Sequence, residues 1–265
     1  MTHVNAIVLR AAGINCDVET EYALELAGAN TQRIHINRLI EDKSPLENSH
    51  ILVFPGGFSY GDDVAAGKIL ANQVIHHIAD PIRKFIEDGK LVLGICNGFQ
   101  VLVKMGILPG NDSPAPSYQK DVTITCNDSN KFEDRWVYLA PQTDRCVFID
   151  PNQHIYLPVA HGEGKVVTKD NETLQKLIDD DKIAFKYVDM DGNEGLYPIN
   201  PNGSISSIAG LTDKTGRVLG LMPHPERHIH STQHPHWTRL KNNEKNHDGT
   251  AIFNNAVKYI QQNFE

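Results

Sequence analysis

"LVLGICNGFQVLVKMG", residues 91–106, is the stretch that decides the fold. Its opening, Leu91 to Ile95, is apolar throughout apart from one glycine, the composition of a strand covered on both faces. From Asn97 onward the apolar positions take helical spacing. At the junction stands Gly94-Ile95-Cys96-Asn97-Gly98, a strand turning into a helix at a cysteine. A strand that feeds straight into a helix belongs to a parallel sheet with helices on its faces.

The residues upstream repeat this alternation. "NAIVLR" (5–10) reads as a strand, followed by a helix with Asp17 as N-cap, Val18, Tyr22, Leu26 and Ala27 on one face, and Gly28 as its stop. A strand near "TQRIHI" comes next, then "ILVF", which runs into the glycine-rich "PGGFSYGDD". Two helices follow, divided at Asp80-Pro81, which reads as an N-cap with proline at the first helical position.

Downstream, the proline-rich "LPGNDSPAPSYQ" leads into short β-like runs: "DVTITC", "DRWVYLA", "RCVFID" and "IYLPVA". One helix, "NETLQKLIDDD", interrupts them before "KIAFKYVD". "SISSIAGLTDKTGRVLGLMP" predicts a hairpin turning at "DKTG", and residues 249–264 a closing helix. The expected fold is α/β: an open, mainly parallel central sheet flanked by helices with added β-hairpins, residues 1–265 forming one domain. Sites in such sheets lie beyond the carboxyl ends of the strands, here the loops after "ILVF" and "LVLGI".

Composition narrows the function. With 25 basic and 33 acidic residues, a net charge of −8 and no Lys/Arg block, a nucleic-acid footprint is not expected. The start of the chain has no signal-peptide pattern and no run is long and apolar enough to span a bilayer, so the reading is cytoplasmic. Four cysteines without CxxC spacing read as reduced thiols.

G-x-C-x-G is the thiol counterpart of the G-x-S-x-G nucleophile elbow. Its glycines remove side chains that would strike the neighbouring strand and helix. The helix N-terminus favours a thiolate at Cys96, and the Asn97 amide is free to donate to a developing oxyanion. A buried cysteine is more often packing than chemistry, so a partner base must decide. "LGLMPHPERH" supplies one. In extended chain His224 and Glu226 project to the same side, so Glu226 can fix the imidazole tautomer and leave the other nitrogen for the thiol. Gly57 of "PGG" is the candidate second oxyanion donor, although "PGG" alone is equally a simple turn.

Taken in order, PGG, G-x-C-x-G-x-Q and H-P-E resemble the class I, triad-type glutamine amidotransferases. "RAAGINCDVET", "PGGFSYGDD", "GICNGFQVL", "HGEGK", "NPNGS" and "MPHPER" extend the likeness over nearly the whole chain, towards the glutaminase subunits of phosphoribosylformylglycinamidine synthase in purine biosynthesis. The resemblance implies a flavodoxin-like fold and attack of Cys96 on the side-chain amide of glutamine. It implies an oxyanion held by Gly57 and Asn97, and His224, oriented by Glu226, as acid and base. It also implies a glutamine pocket shaped by Gln100, His161, Gly162 and Glu163.

Ammonia would then pass to a separate synthetase subunit, with room for a third, small subunit. That synthetase would bind ATP, magnesium and formylglycinamide ribonucleotide. No phosphate-binding loop is legible in this chain, where "AAGK" (65–68) lacks the first glycine and the following Ser/Thr, so no cofactor is expected here. Lys165 stands where relatives often carry arginine. His228, His230, His234 and His236 have no carboxylate or cysteine at ligand spacing, so they read as a polar loop at the pocket mouth or a partner interface, with no metal.

Two other readings compete, the first of which keeps the fold. A Cys-elbow hydrolase or chaperone-like protein usually places its histidine just after the cysteine, where this chain has Asn97-Gly98-Phe99. A non-catalytic regulatory module would be expected to lack one of Cys96, His224 or Glu226, and all three are present.

Overall fold

The computed structural model of the chain describes residues 3–110, 121–240 and 248–264. Most of the proline-rich connection lies outside them. The strands are β1 (Asn5–Arg10), β2 (Asn30–His35), β3 (Ile51–Phe54), β4 (Leu91–Ile95), β5 (Val122–Thr125), β6 (Glu133–Pro141), β7 (Ile155–His161), β8 (Lys165–Thr168), β9 (Ile183–Val188), β10 (Ile208–Thr212) and β11 (Val218–Leu221). The helices are α1 (Asp17–Leu26), α2 (Ile36–Glu41), α3 (Ser44–Glu47), α4 (Lys68–His77), α5 (Ala79–Glu87), α6 (Asn97–Met105), α7 (Asn171–Asp179) and α8 (Gly249–Asn263).

Nine strands form one sheet in the order β2-β1-β3-β4-β11-β10-β9-β6-β7. From β2 across to β11 every neighbouring pair is parallel. From β11 outward to β7 every pair is antiparallel. The parallel part carries the helical connections, and the expected β10–β11 hairpin, turning through Asp213–Gly216, joins the two parts. A separate antiparallel ribbon pairs β5 with β8.

β3, β4 and β11 are buried along their whole length, which is why they read as continuous apolar runs. Gly94 in β4 pairs with Phe54 on one side and Gly220 on the other. A Cβ on Gly98 would fall 1.8 Å from the Phe54 carbonyl oxygen, one on Gly94 2.6 Å from Leu102 Cδ1, and one on Gly220 2.2 Å from the Phe99 ring. The missing side chains let α6 lie directly on the sheet, with its first turn at the carboxyl end of β4.

Some local readings are corrected. The N-cap of α1 is Cys16, and Asp17 is the first helical residue. The face of Val18, Tyr22 and Leu26 looks outward, at 57%, 45% and 49% exposure, while Asp17, Thr20, Ala23 and Leu24 face the core. Asp17 is drawn in by ion pairs to Arg10 (2.6 Å) and Arg33 (3.5 Å), which turns the helix away from its apolar stripe.

α4 and α5 divide at Ile78, two residues before Asp80, so neither Asp80 nor Pro81 takes the expected cap position. "RCVFID" forms no strand. Cys146 and Phe148 are buried as a plug within a loop, where Ile149 donates back to the Cys146 carbonyl at 3.2 Å.

Candidate active site

Cys96 takes φ 50° and ψ −106°, a positive-φ conformation that a non-glycine residue adopts only under strain. Two neighbours enforce it. The Cys96 amide donates to the Leu221 carbonyl of β11 at 2.8 Å, and Gly98 is pressed against Phe54 of β3. The side chain is thereby lifted off the sheet, its Sγ 3.7 Å from the Ala160 carbonyl. Asn97 opens α6, so its amide has no acceptor within the helix.

β11 lies beside β4 in parallel, so the residues after it arrive at the same end of the sheet. His224 remains extended, but Pro225–Arg227 form a 3-10 turn in place of the continuous extended chain expected. The turn still brings Glu226 back to the ring. Glu226 Oε1 lies 2.6 Å from His224 Nδ1, with both side chains buried. The His224 amide is fixed by the Pro158 carbonyl at 2.8 Å. Burial alone would push the imidazole towards neutrality, but the Glu226 carboxylate, with Cys96 close by, outweighs it and raises the pKa well above the ordinary histidine value. His224 Nε2 is also buried and has no hydrogen-bond partner among the described residues.

The "PGG" loop follows β3, which pairs with β4 on the other side. Gly57 sits at φ 142°, and a Cβ there would meet Ile14 and Asn15 backbone at 2.8 Å, so no other residue fits. The loop is laced to the β1–α1 connection: Cys16 N–H donates to Gly56 (3.3 Å), Phe58 N–H to Gly13 (2.9 Å) and Tyr60 N–H to Ala12 (2.7 Å).

The expected pocket residues form a second connected group. Gln100 donates to the Glu163 carbonyl and accepts from Asn97 Nδ2 at 3.0 Å. Asn97 Nδ2 also reaches Asp62 at 3.1 Å, and its Oδ1 accepts from Ser59 N–H at 3.3 Å. Glu163 accepts from the Ala66 amide at 3.3 Å. The His161–Gly164 turn wraps around buried Asn127, which accepts from Gly164 N–H at 3.0 Å, donates to the His161 carbonyl at 2.8 Å and lies 3.1 Å from His161 Nδ1. Burial holds the His161 ring neutral, with its pKa lowered to about 3. Lys165 pairs with Asp128.

Sequence reasoning assigned no role to Cys16, Asp62, Asn127 or Arg227. All four hold parts of this site. Cys16, Asp62 and Arg227 lie inside motifs that carry the resemblance, which is the available signal. The histidine loop is also less polar than expected. His228 is buried against Trp136 (4.9 Å between ring centroids), and His234 packs on Trp136 and Tyr156.

A strained cysteine elbow facing a buried His–Glu pair is suited to acyl transfer through a thioester. The sequence profile of the CobB/CobQ-like glutamine amidotransferase domain matches residues 3–260. The chain belongs to the CobB/CobQ-like glutamine amidotransferase family. This amidotransferase is 47% identical over 264 residues to phosphoribosylformylglycinamidine synthase subunit PurQ of Dehalococcoides mccartyi, covering 99% of this chain and 100% of that one. The subunit of the same name from Methanococcus maripaludis is 40% identical, with 97% of both chains covered. Among solved structures, the amidotransferase aligns with a chain of PurLQS from Thermotoga maritima at a TM-score of 0.71 and 30% identity, covering 98% of this chain and 100% of that one. A second Thermotoga maritima structure, a glutamine amidotransferase 13% identical, shares the fold at a TM-score of 0.58.

Proposed function

We propose that this chain is the glutaminase subunit of a phosphoribosylformylglycinamidine synthase, with residues 1–265 acting as one amidotransferase domain. The observation that carries the reading is the strained Cys96 elbow beside the buried His224–Glu226 pair, in a chain related end to end to subunits of that name.

Cys96 Sγ attacks the side-chain amide carbon of glutamine, and its proton resides on His224. The oxygen of the tetrahedral intermediate accepts hydrogen bonds from the Gly57 and Asn97 amides. Collapse of that intermediate breaks the C–N bond as His224 protonates the leaving nitrogen, releasing ammonia and leaving a thioester. Water, deprotonated by His224, then attacks the thioester through a second oxyanion and frees glutamate. Glu226 holds the ring through Nδ1 and stabilises its charged form. Gln100, His161, Gly162 and Glu163 shape the glutamine pocket.

The ammonia passes to a synthetase subunit, with a third, small subunit completing the assembly. ATP and magnesium bind to the synthetase, which makes formylglycinamidine ribonucleotide, and this chain holds no cofactor of its own. Among the described residues no helix is long and apolar enough to cross a membrane. A role in purine synthesis would place the chain in the cytoplasm.

The test is glutamate release from glutamine by the purified chain with its synthetase, nucleotide and formylglycinamide ribonucleotide. Wild type turns over and Cys96→Ala does not. Equal turnover by Cys96→Ala would remove the thioester mechanism.

A further inference from the structure

Cys16 is a second thiol at the catalytic base. It is buried at the N-cap of α1, and its Sγ, a ring nitrogen of His224 and a carboxylate oxygen of Glu226 all lie within 4.8 Å of one another. Gly56 lies against both groups: a Cβ there would sit 2.7 Å from His224 Cε1 and 3.0 Å from Cys16 Sγ. On its far side the sulfur accepts from Arg227 Nη2 at 3.1 Å, while Arg227 Nε donates to Glu19 at 3.0 Å. The thiol itself points to Asn15 Oδ1 at 3.3 Å.

A cysteine, histidine and glutamate so close together would suit a soft divalent cation. The surroundings argue against it. The Arg227 guanidinium already occupies the cationic position beside the sulfur, and burial raises the thiol to about 11, which keeps it protonated. A metal would have to displace both the proton and the arginine.

The backbone of the same residue reaches the oxyanion loop. Cys16 N–H donates to the Gly56 carbonyl at 3.3 Å. The Gly56–Gly57 peptide is trans, so its N–H points opposite to that carbonyl. Holding the carbonyl towards α1 therefore turns the Gly57 amide away from α1, in the direction an oxyanion donor must face.

We propose that Cys16 is a positioning residue for glutamine hydrolysis: its amide sets the Gly56–Gly57 peptide, and its neutral thiol, clamped by Arg227, backs the His224 ring against Glu226. The two halves of the machinery, oxyanion donor and base, are thereby held by one residue. The proposal rests on the reading of Cys96, His224 and Glu226 as the glutaminase triad.

The experiment compares wild type, Cys16→Ala, Cys16→Ser and Arg227→Gln as full chains with the synthetase partner, reading kcat and KM for glutamine and the thermal midpoint of each. Cys16→Ala should lower kcat about tenfold with KM within about twofold, the pattern of a misplaced catalytic group. Cys16→Ser keeps an acceptor for Arg227 and should return to within about threefold of wild type. Arg227→Gln leaves Cys16 in place but removes the clamp, and should show the same kcat-selective loss even if Cys16→Ala folds poorly. Unchanged kcat in Arg227→Gln overturns the proposal, as does a serine variant no better than alanine. Absence of glutamate release by wild type would instead sink the glutaminase reading.

Discussion

His224 Nδ1 and Glu226 Oε1 meet at 2.6 Å inside the protein, with the Pro158 carbonyl fixing the backbone of the histidine. Burial of the ring opposes its charge, and the carboxylate overcomes that opposition. Glu226→Gln keeps the shape and removes the charge that most opposes burial, so the pKa of the imidazole falls. The expected result is a fall in kcat of about ten- to hundredfold, roughly 1.4–3 kcal/mol, with a His224 ring that no longer titrates above the usual histidine range. Steady-state glutaminase assays and NMR titration of the ring measure the two effects.

Asn97 binds the oxyanion loop from below, through Ser59 and Asp62, while bracing Gln100. Asn97→Leu fills similar space but leaves the Ser59 amide and the Gln100 side-chain oxygen without a partner, each loss costing about 1–3 kcal/mol when buried. The loop loosens, and kcat is expected to fall by about tenfold while Cys96 still reacts with small alkylating agents. Retention of full kcat would show that Gly56 and Gly57 are held from the α1 side alone.

Gly98→Ala tests the elbow. Its Cβ would lie 1.8 Å from the Phe54 carbonyl oxygen, a backbone atom in a strand buried on all sides. Neither partner can move without shifting β3 or α6, so a loss of about 3 kcal/mol or more is expected in urea unfolding. A variant of wild-type stability would mean that α6 can lift from the sheet.

His161 makes stability depend on pH. Its pKa lies near 3 in the folded chain and near 6.5 when unfolded. Between those values the unfolded chain binds a proton that the folded chain refuses, so stability falls as pH drops, by about 1.4 kcal/mol per unit. His161→Gln removes that slope. Urea titrations between pH 6.5 and 4.5, above the range of most carboxylates, should give a flatter profile for the variant than for wild type.

The candidate site is legible because each part of it rests on backbone constraint. A cysteine between two glycines at a strand end, and a proline-bracketed H-P-E after an apolar strand, leave few geometries open, and β4 with its two parallel neighbours closes them together. Side-chain pairing was harder to read. The stripe on α1 looked like its buried face because an acidic residue is not expected inside, yet Asp17 enters with two arginines from β1 and β2. "RCVFID" has the composition of a strand, yet Cys146 and Phe148 turn inward and pack as a buried plug. The motif around Cys16 marks the residue but not its contacts, because Gly56, His224 and Arg227 are distant in sequence.

The central place of β4 has a consequence for how the protein is made. The ribosome delivers the thiol together with β1 to β4, and the edge of β4 that will face β11 stays open until the chain has passed Leu221. Until then the nascent protein displays an unpaired apolar edge beside Cys96, a template for mispairing with other chains. His224 follows directly after the strand that seals this edge. The same late event therefore ends the period of aggregation risk and brings His224 to Cys96, so an incomplete chain carries the thiol without the imidazole.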